Sequence, residues 1–344
     1  MTKKLYILLA VVLVVSMLLP ACQTSGKPDC SKADSFCIGL VTDVGKIDDK
    51  SFNQSAYEGM KQAEKDLKVY SQYIETTDAK DYAKNIATFA DAKYKVIITV
   101  GFNLGEATIA AAKKYPDVKF IGVDQGQTDT LANLAGLIFP EDIAGFLVGA
   151  LAAQMTTTKK IGAVCGTDAV PPVWKFGEGY RAGAAYIDKS VEVTVVYHSD
   201  VGFDKTFTDP EWGKTTAISM IDKGVDVIFG AGGKTGNGAL SGAASKGVYA
   251  IGVDTDQYYT VPEAQKVMLS SAYKLIVPGV VDLVTMAKNG KFPGGNYLGK
   301  AGFAPYHDLD SKVPAAVKAK MTEIEKALND GSLKTGVAPA KPAQ

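Results

Sequence analysis

From residue 36 onward, short runs rich in Val, Ile and Phe alternate with longer stretches whose apolar residues return every three or four positions. The runs at 36–43, 68–74, 95–100, 119–124 and 133–139 read as strands. Phe52, Ala56, Tyr57, Met60 and Ala63, then Tyr82, Ile86 and Phe89, mark helical faces between them. The order repeats with runs at 161–165, 192–197, 225–230 and 249–254, separated by helical stretches beginning near Val173, Gly213 and Thr235. Nearly continuous apolar strands are expected where a sheet is covered on both faces. The alternation therefore predicts an α/β chain of two doubly wound parallel-sheet lobes. A further strand at 266–270 and a helix from 273 to 288 follow the second set.

The chain begins differently. Lys3 and Lys4 precede an apolar run from Leu5 to Leu19, too short for a stable span of about 20 residues and patterned like a secretory signal. The run ends in Leu19-Pro20-Ala21-Cys22, which resembles the bacterial lipobox, so residues 1–21 are expected to be cleaved and Cys22 lipidated. Residues 22–35 are polar, with Gly26 and Pro28, and suit a tether. These features predict an extracytoplasmic protein held at the cell membrane by its lipid alone.

Thirty-seven basic residues balance 37 acidic ones. No net field draws such a chain to nucleic acid or to an anionic membrane. Export permits disulfides. Cys30 and Cys37 are close enough in sequence to tie the tether to the first strand, but each also reads as a cysteine left free. No CxxC spacing suggests a metal or dithiol site, and no cofactor is implied.

Ligands of open parallel sheets bind outside the carboxyl ends of the strands, which directs attention to the loops there. Asp43 ends the first strand. Ser51 and Gln54 have capping-box spacing, which places Phe52 and Asn53 at the first turn of a helix. Asp48 and Asp49 read equally as ligand contacts or as solvated acids favouring that helix start. Gly101-Phe102-Asn103 follows the third strand, and a Gly-Val-Asp triplet ends a strand in each lobe, at 122–124 and 252–254. Asp124 and Asp254 would thus face each other across a cleft and accept hydrogen bonds from a ligand. Phe203 to Asp209 and the glycine-rich segment 230–236 complete the set.

From about Phe36 to Leu333 the chain resembles the basic membrane protein family, also called PnrA-like lipoproteins. The residues that carry this are Thr42-Asp43, Asp48-Asp49-Lys50-Ser51-Phe52-Asn53-Gln54, the two Gly-Val-Asp ends, Phe207-Thr208-Asp209, Ala231 to Gly236, and Ser270 to Lys274. The resemblance implies a nucleoside-binding component of an ABC importer, with a membrane permease as partner. It implies the type I periplasmic-binding-protein fold with three crossovers, near 141, 266 and 292. Lobe 1 would then comprise 36–141 plus 266–292, lobe 2 would comprise 142–265 plus 293–335, and 336–344 would form a disordered tail. A purine nucleoside (adenosine, guanosine or inosine) is the implied ligand. Phe207 would stack on the base and Asp124 would read its edge. Asn53, Asp254 and Lys274 would hold the ribose, with Gly232 allowing close backbone approach. Phe52 and Phe102 are alternative opposing rings, while Trp174, Phe203 and Trp212 are rivals more naturally read as packing residues.

An enzyme is the competing class. His198 and His307 are the only histidines, and neither HExxH nor GxSxG occurs. His198 alone follows a strand, and no catalytic residue is assigned. Segment 230–235 lacks the glycine that a phosphate loop needs at Ile228 and the one a dinucleotide fingerprint needs at Thr235. A sugar or another small polar solute is the alternative ligand, disfavoured because Arg181 is the only arginine available for a clamp.

Overall fold

The structure, a computed structural model, describes residues 28–342; the signal-like run and Cys22 lie outside the described residues. Two six-stranded sheets carry the two lobes. In the first, β1 (Cys37–Val44) pairs in parallel with β2 (Tyr70–Thr76) and β3 (Val96–Val100). The sheet continues through β4 (Lys119–Val123) and β5 (Leu134–Ile138). Helix α1 (Phe52–Leu67) covers one face, while α2 (Tyr82–Asp91) and α3 (Gly105–Lys114) cover the other. That double cover is why all five residues of β3 are apolar or Thr and buried.

The chain then crosses at Phe139–Pro140 into α4 (Glu141–Met155), an almost wholly apolar helix that the pattern reading leaves unassigned. It packs on α5 (Pro171–Ile187). The approach is close enough that a Cβ on Gly183 would lie 1.9 Å from the Phe146 carbonyl oxygen, so only glycine fits there. The second sheet contains β6 (Lys160–Cys165), β7 (Glu192–Tyr197), β8 (Val227–Ala231) and β9 (Tyr249–Asp254). Its other face is covered by α7 (Pro210–Ile221), which follows the short α6 (Phe203–Thr206), and by α8 (Gly233–Lys246).

The structure revises the late crossings. After the short α9 (Gln257–Thr260), β10 (Met268–Lys274) pairs with β9 and so belongs to the second sheet, not to lobe 1. Its apolar run satisfies the open edge of β9 before the chain leaves. The crossing therefore follows Lys274 rather than lying near 266. Helix α10 (Ile276–Lys288) packs on α1, and β11 (Gly295–Leu298) extends sheet 1 beside β5. The last crossing falls at Gly299–Lys300 instead of 292, before β12 (Ala301–Phe303) and α11 (Ala315–Asn329). The three crossing segments are bonded together, Gly299 N–H to Ile138 and Leu275 N–H to Lys300.

Cys30 and Cys37 form a disulfide, tying residues 28–36 to the start of β1. Thr335, just before the tail expected to be disordered, donates to Asp142 of lobe 2, and within the tail Lys341 pairs with Asp168 while residues 338–342 are exposed.

Candidate functional site: a cleft between the lobes

Strand ends from both sheets open on one inter-lobe cavity of about 320 Å³. All nine residues singled out as ligand contacts line it: Asp43, Phe52, Asn53, Phe102, Asp124, Phe207, Gly232, Asp254 and Lys274. Asp124 and Asp254, closing the two Gly-Val-Asp triplets, both adopt left-handed backbone conformations, with φ of 60° and 66°. A residue other than glycine pays roughly 1–2 kcal/mol for that geometry. Here it turns each carboxylate out of its strand line and into the cleft.

Lys274 organises the polar end. The side chain is buried, with Nζ 2.5 Å from Asp124, 3.6 Å from Asp254 and 4.0 Å from Glu141. The same ammonium lies 4.6 Å from the centre of the Phe52 ring, 5.5 Å from Phe139 and 5.7 Å from Phe176. Burial works against its charge, but the three carboxylates outweigh that and hold its pKa above the ordinary lysine value. Burial also raises the Asp124 carboxyl, opposed by Lys274. Glu141, buried at the first turn of α4, is pushed up to about 8 by burial, against the pull of Lys274. Sequence reasoning passed over Glu141 and Phe176; the first reads as an ordinary acid at a helix start, the second as a helix core aromatic.

The capping box expected at α1 does not form. Ser51 makes no side-chain cap bond, and its hydroxyl donates instead to Asp254 across the cleft at 2.7 Å. Asp49 takes the capping role, accepting from the backbone N–H of Ser51, Asn53 and Gln54 at 2.9–3.0 Å. The backbone donors of Asn53 and Gln54 in the first turn are thus occupied. Burial raises the Asp49 carboxyl to about 6, opposed by these three bonds. Asp43 is similarly committed to protein partners, accepting from Tyr82 at 2.5 Å and from Val44 N–H.

Two acceptors remain without a partner. Asp124 Oδ1 and Asn53 Oδ1 are buried, line the cavity and receive no hydrogen bond. An unmet buried acceptor costs roughly 1–3 kcal/mol, so each has capacity for one more donor. Apolar surface completes the cavity, with Phe52 and Phe102 from lobe 1 and Phe176 and Phe207 from lobe 2. The Phe207 ring sits where a Cβ on Gly166 would intrude to 2.2 Å, which fixes glycine at that strand end.

The rivals lie elsewhere. Trp174 is buried, Phe203 is exposed, and Trp212 stacks on His198 at 3.9 Å; none lines the cavity. His198 is buried between Trp212 and Asp209, 3.3 Å from the carboxylate, and is a packing residue of lobe 2. Among the described residues, no group of His, Cys, Asp and Glu side chains could hold a metal ion, and no helix is long and apolar enough to cross a membrane.

Two doubly wound lobes on three bonded crossings, with an aromatic cavity and inward carboxylates between them, define a two-lobed binding protein. Residues 38–299 match the family described as ABC transporter substrate-binding protein, PnrA-like, and the chain belongs to it. It is 33% identical to the ABC transporter nucleoside-binding protein BmpA of Lactococcus lactis, over 87% of this chain and 88% of that one. It is 32% identical to the CD4+ T-cell-stimulating antigen of Listeria monocytogenes, over 97% and 98%. A lipoprotein of Pyrococcus abyssi is 30% identical over 90% of this chain and 78% of its own. Among solved structures, a solute-binding protein of an ABC transporter system from Aeropyrum pernix superposes with a TM-score of 0.77 at 24% identity, covering 87% of this chain and 92% of that one. The fold is the type I periplasmic-binding-protein fold, and the protein is a substrate-binding component of an ABC transporter, not an enzyme.

Proposed function

We propose that the cleft captures a purine nucleoside outside the cell and delivers it to a membrane permease. The observation that carries this reading is the pair of unpartnered buried acceptors, Asp124 Oδ1 and Asn53 Oδ1, beside phenylalanines from both lobes. A nucleoside offers what they lack: N–H and O–H donors along its edges and two flat faces for stacking. The cavity volume falls within the usual range of small-molecule sites, roughly 300–1,000 Å³. The nucleoside-binding name of the Lactococcus relative agrees with this chemistry.

In this reading Phe207 stacks on the base from lobe 2. Phe52 already presents its ring to Lys274, which leaves Phe102, 42% exposed, as the opposing ring from lobe 1. Asp124 reads the base edge through Oδ1, its other oxygen being held by Lys274. Asn53, Asp254 and Lys274 meet the ribose hydroxyls, and Gly232 lets the backbone come close. We assign Cys22 as the lipid attachment point, so that the body works at the outer face of the cell membrane; the relative from Pyrococcus abyssi is itself named a lipoprotein.

The test is calorimetric titration of adenosine, guanosine, inosine, uridine, ribose and galactose into the soluble body. Tighter binding of the three purine nucleosides than of uridine or either sugar is expected. Tight binding of a free sugar with no response to any nucleoside would reject the assignment.

A further inference from the structure

The loop at 46–51 of lobe 1 is bonded to lobe 2 by contacts that the ligand-binding reading does not require. Asn237 Nδ2 donates to the Asp49 carbonyl at 2.8 Å. The Lys50 carbonyl accepts twice, from Gln257 Nε2 at 3.0 Å and from Thr260 Oγ1 at 2.8 Å. Lys50 has a φ of 61°, a strained conformation for lysine, and with it presents its carbonyl to both donors. Ser51 reaches Asp254, and Lys234 pairs with Asp48 at 2.8 Å.

Gln257 is the centre of this set. It is fully buried; its Oε1 accepts from Val253 N–H at 2.9 Å and its Nε2 also donates to Asn237 Oδ1 at 2.8 Å. Gly252 makes room for it, since a Cβ there would lie 2.7 Å from the Gln257 Cβ. Lobe 1 holds the counterpart: Gln125 lies against Gly122 of the other Gly-Val-Asp triplet. The Gln125 amide, however, bonds Thr99 and Gly101 within its own lobe. The same device is thus turned inward in lobe 1 and across the lobe boundary in lobe 2.

We propose that Gln257, Asn237 and Thr260 form a latch on the 46–51 loop that assembles the binding site and sets how long a ligand stays. The coupling runs through two contacts. Asp49, whose carbonyl the latch grips, caps α1 and so fixes Phe52 and Asn53 at the cavity wall. Ser51 holds Asp254 from the opposite lobe. When the lobes part, the 46–51 loop loses its partners and both walls of the site loosen together. These three are positioning residues, since none of them lines the cavity.

The proposal takes its probe, inosine, from the nucleoside reading, so the experiment has one arm with ligand and one without. Thr260→Val removes a hydroxyl at nearly constant shape, Asn237→Ala removes the second donor, and Thr260→Ser keeps the hydroxyl as the rescue. A neutral hydrogen bond contributes roughly two- to tenfold to an equilibrium constant. The Thr260→Val/Asn237→Ala protein is therefore expected to release inosine about 10- to 50-fold faster, and the Thr260→Ser protein at the native rate. In the second arm, dyes on Lys65→Cys in α1 and Lys246→Cys in α8 report lobe separation by energy transfer with no ligand added. In the soluble body without Cys22, the remaining three cysteines do not interfere there, because Cys165 is buried and Cys30 and Cys37 are bonded to each other. Lower transfer in the double variant than in the native protein, restored with Thr260→Ser, supports the latch. Transfer identical to native overturns it, whether or not release accelerates. Failure of the native protein to bind inosine, adenosine or guanosine would refute the nucleoside reading, and the latch would then stand or fall on the transfer arm.

Discussion

Glu141→Gln isolates a buried acid at the first crossing, beside Lys274. Burial raises its pKa from 4.5 to about 8; Lys274, 4.0 Å away, and Lys175 oppose the rise, and Asp124 adds to it. Between those values the folded protein holds a proton that the unfolded chain has released, so stability falls as pH rises through the window and levels off above it. One extra proton corresponds to a slope of about 1.4 kcal/mol per pH unit, or about 3 kcal/mol between pH 5 and 7.5. Gln has the shape of the protonated acid and does not titrate. The variant should match the native protein near pH 5 and exceed its stability by about 3 kcal/mol at pH 7.5. Urea unfolding at fixed ionic strength across pH 5–8 measures this, and taking the difference between the two proteins removes the titration of Asp49 that both share. Parallel curves would refute the reasoning, because they would mean that Glu141 ionises as freely in the folded protein as in the unfolded chain. A native protein more stable than the variant at pH 7.5 would reverse its sign and show the carboxylate charged and paired.

Phe207→Ala should weaken inosine binding by about 1–3 kcal/mol, the scale of a base–aromatic stack, with the urea midpoint nearly unchanged because the ring is only half buried; unchanged affinity by calorimetry would remove Phe207 from the site. Lys274→Met leaves Asp124 and Asp254 buried without their cation and should cost about 3–5 kcal/mol of stability at pH 8. That loss should shrink toward pH 5 as Asp124, whose carboxyl pKa burial already raises, takes up a proton, and a pH-independent loss by urea unfolding would contradict it.

The strands and the two Gly-Val-Asp ends were legible because double burial writes itself as apolar runs, and an acid directly after such a run stands out. The ends of the elements were less so. Ser51 and Asp49 are both plausible caps for α1, and only the folded loop shows Asp49 reaching three N–H groups while Ser51 turns to the other lobe. The run Met268–Ala272 looks the same whichever sheet it joins; the open edge of β9 decides it, and that edge is a property of the assembled lobe. Glu141 has no sequence signal for its raised pKa, since that comes from burial at a crossing whose neighbour Lys274 is distant in sequence.

The arrangement divides the cleft into two ends with different duties. Lys274 is the residue before the second crossing, and Glu141 follows the first by one residue, so the charged cluster sits at the bonded crossings. A rotation about those strands displaces each group in proportion to its distance from them, and groups beside the axis scarcely move. A hinge of that kind would leave Lys274 and Asp124, drawn from different lobes but only 2.5 Å apart, paired whether the lobes are together or apart. The rings of Phe102 and Phe207 and the 46–51 loop belong to the part that must come together. Because the burial of charge around Lys274 is completed when the protein folds, ligand-driven closure is left with apolar contact, the hydrogen bonds to the 46–51 loop and the partly exposed Lys234–Asp48 pair. An equilibrium of that modest size can be shifted by one small solute and shifted back when a permease pulls the lobes apart.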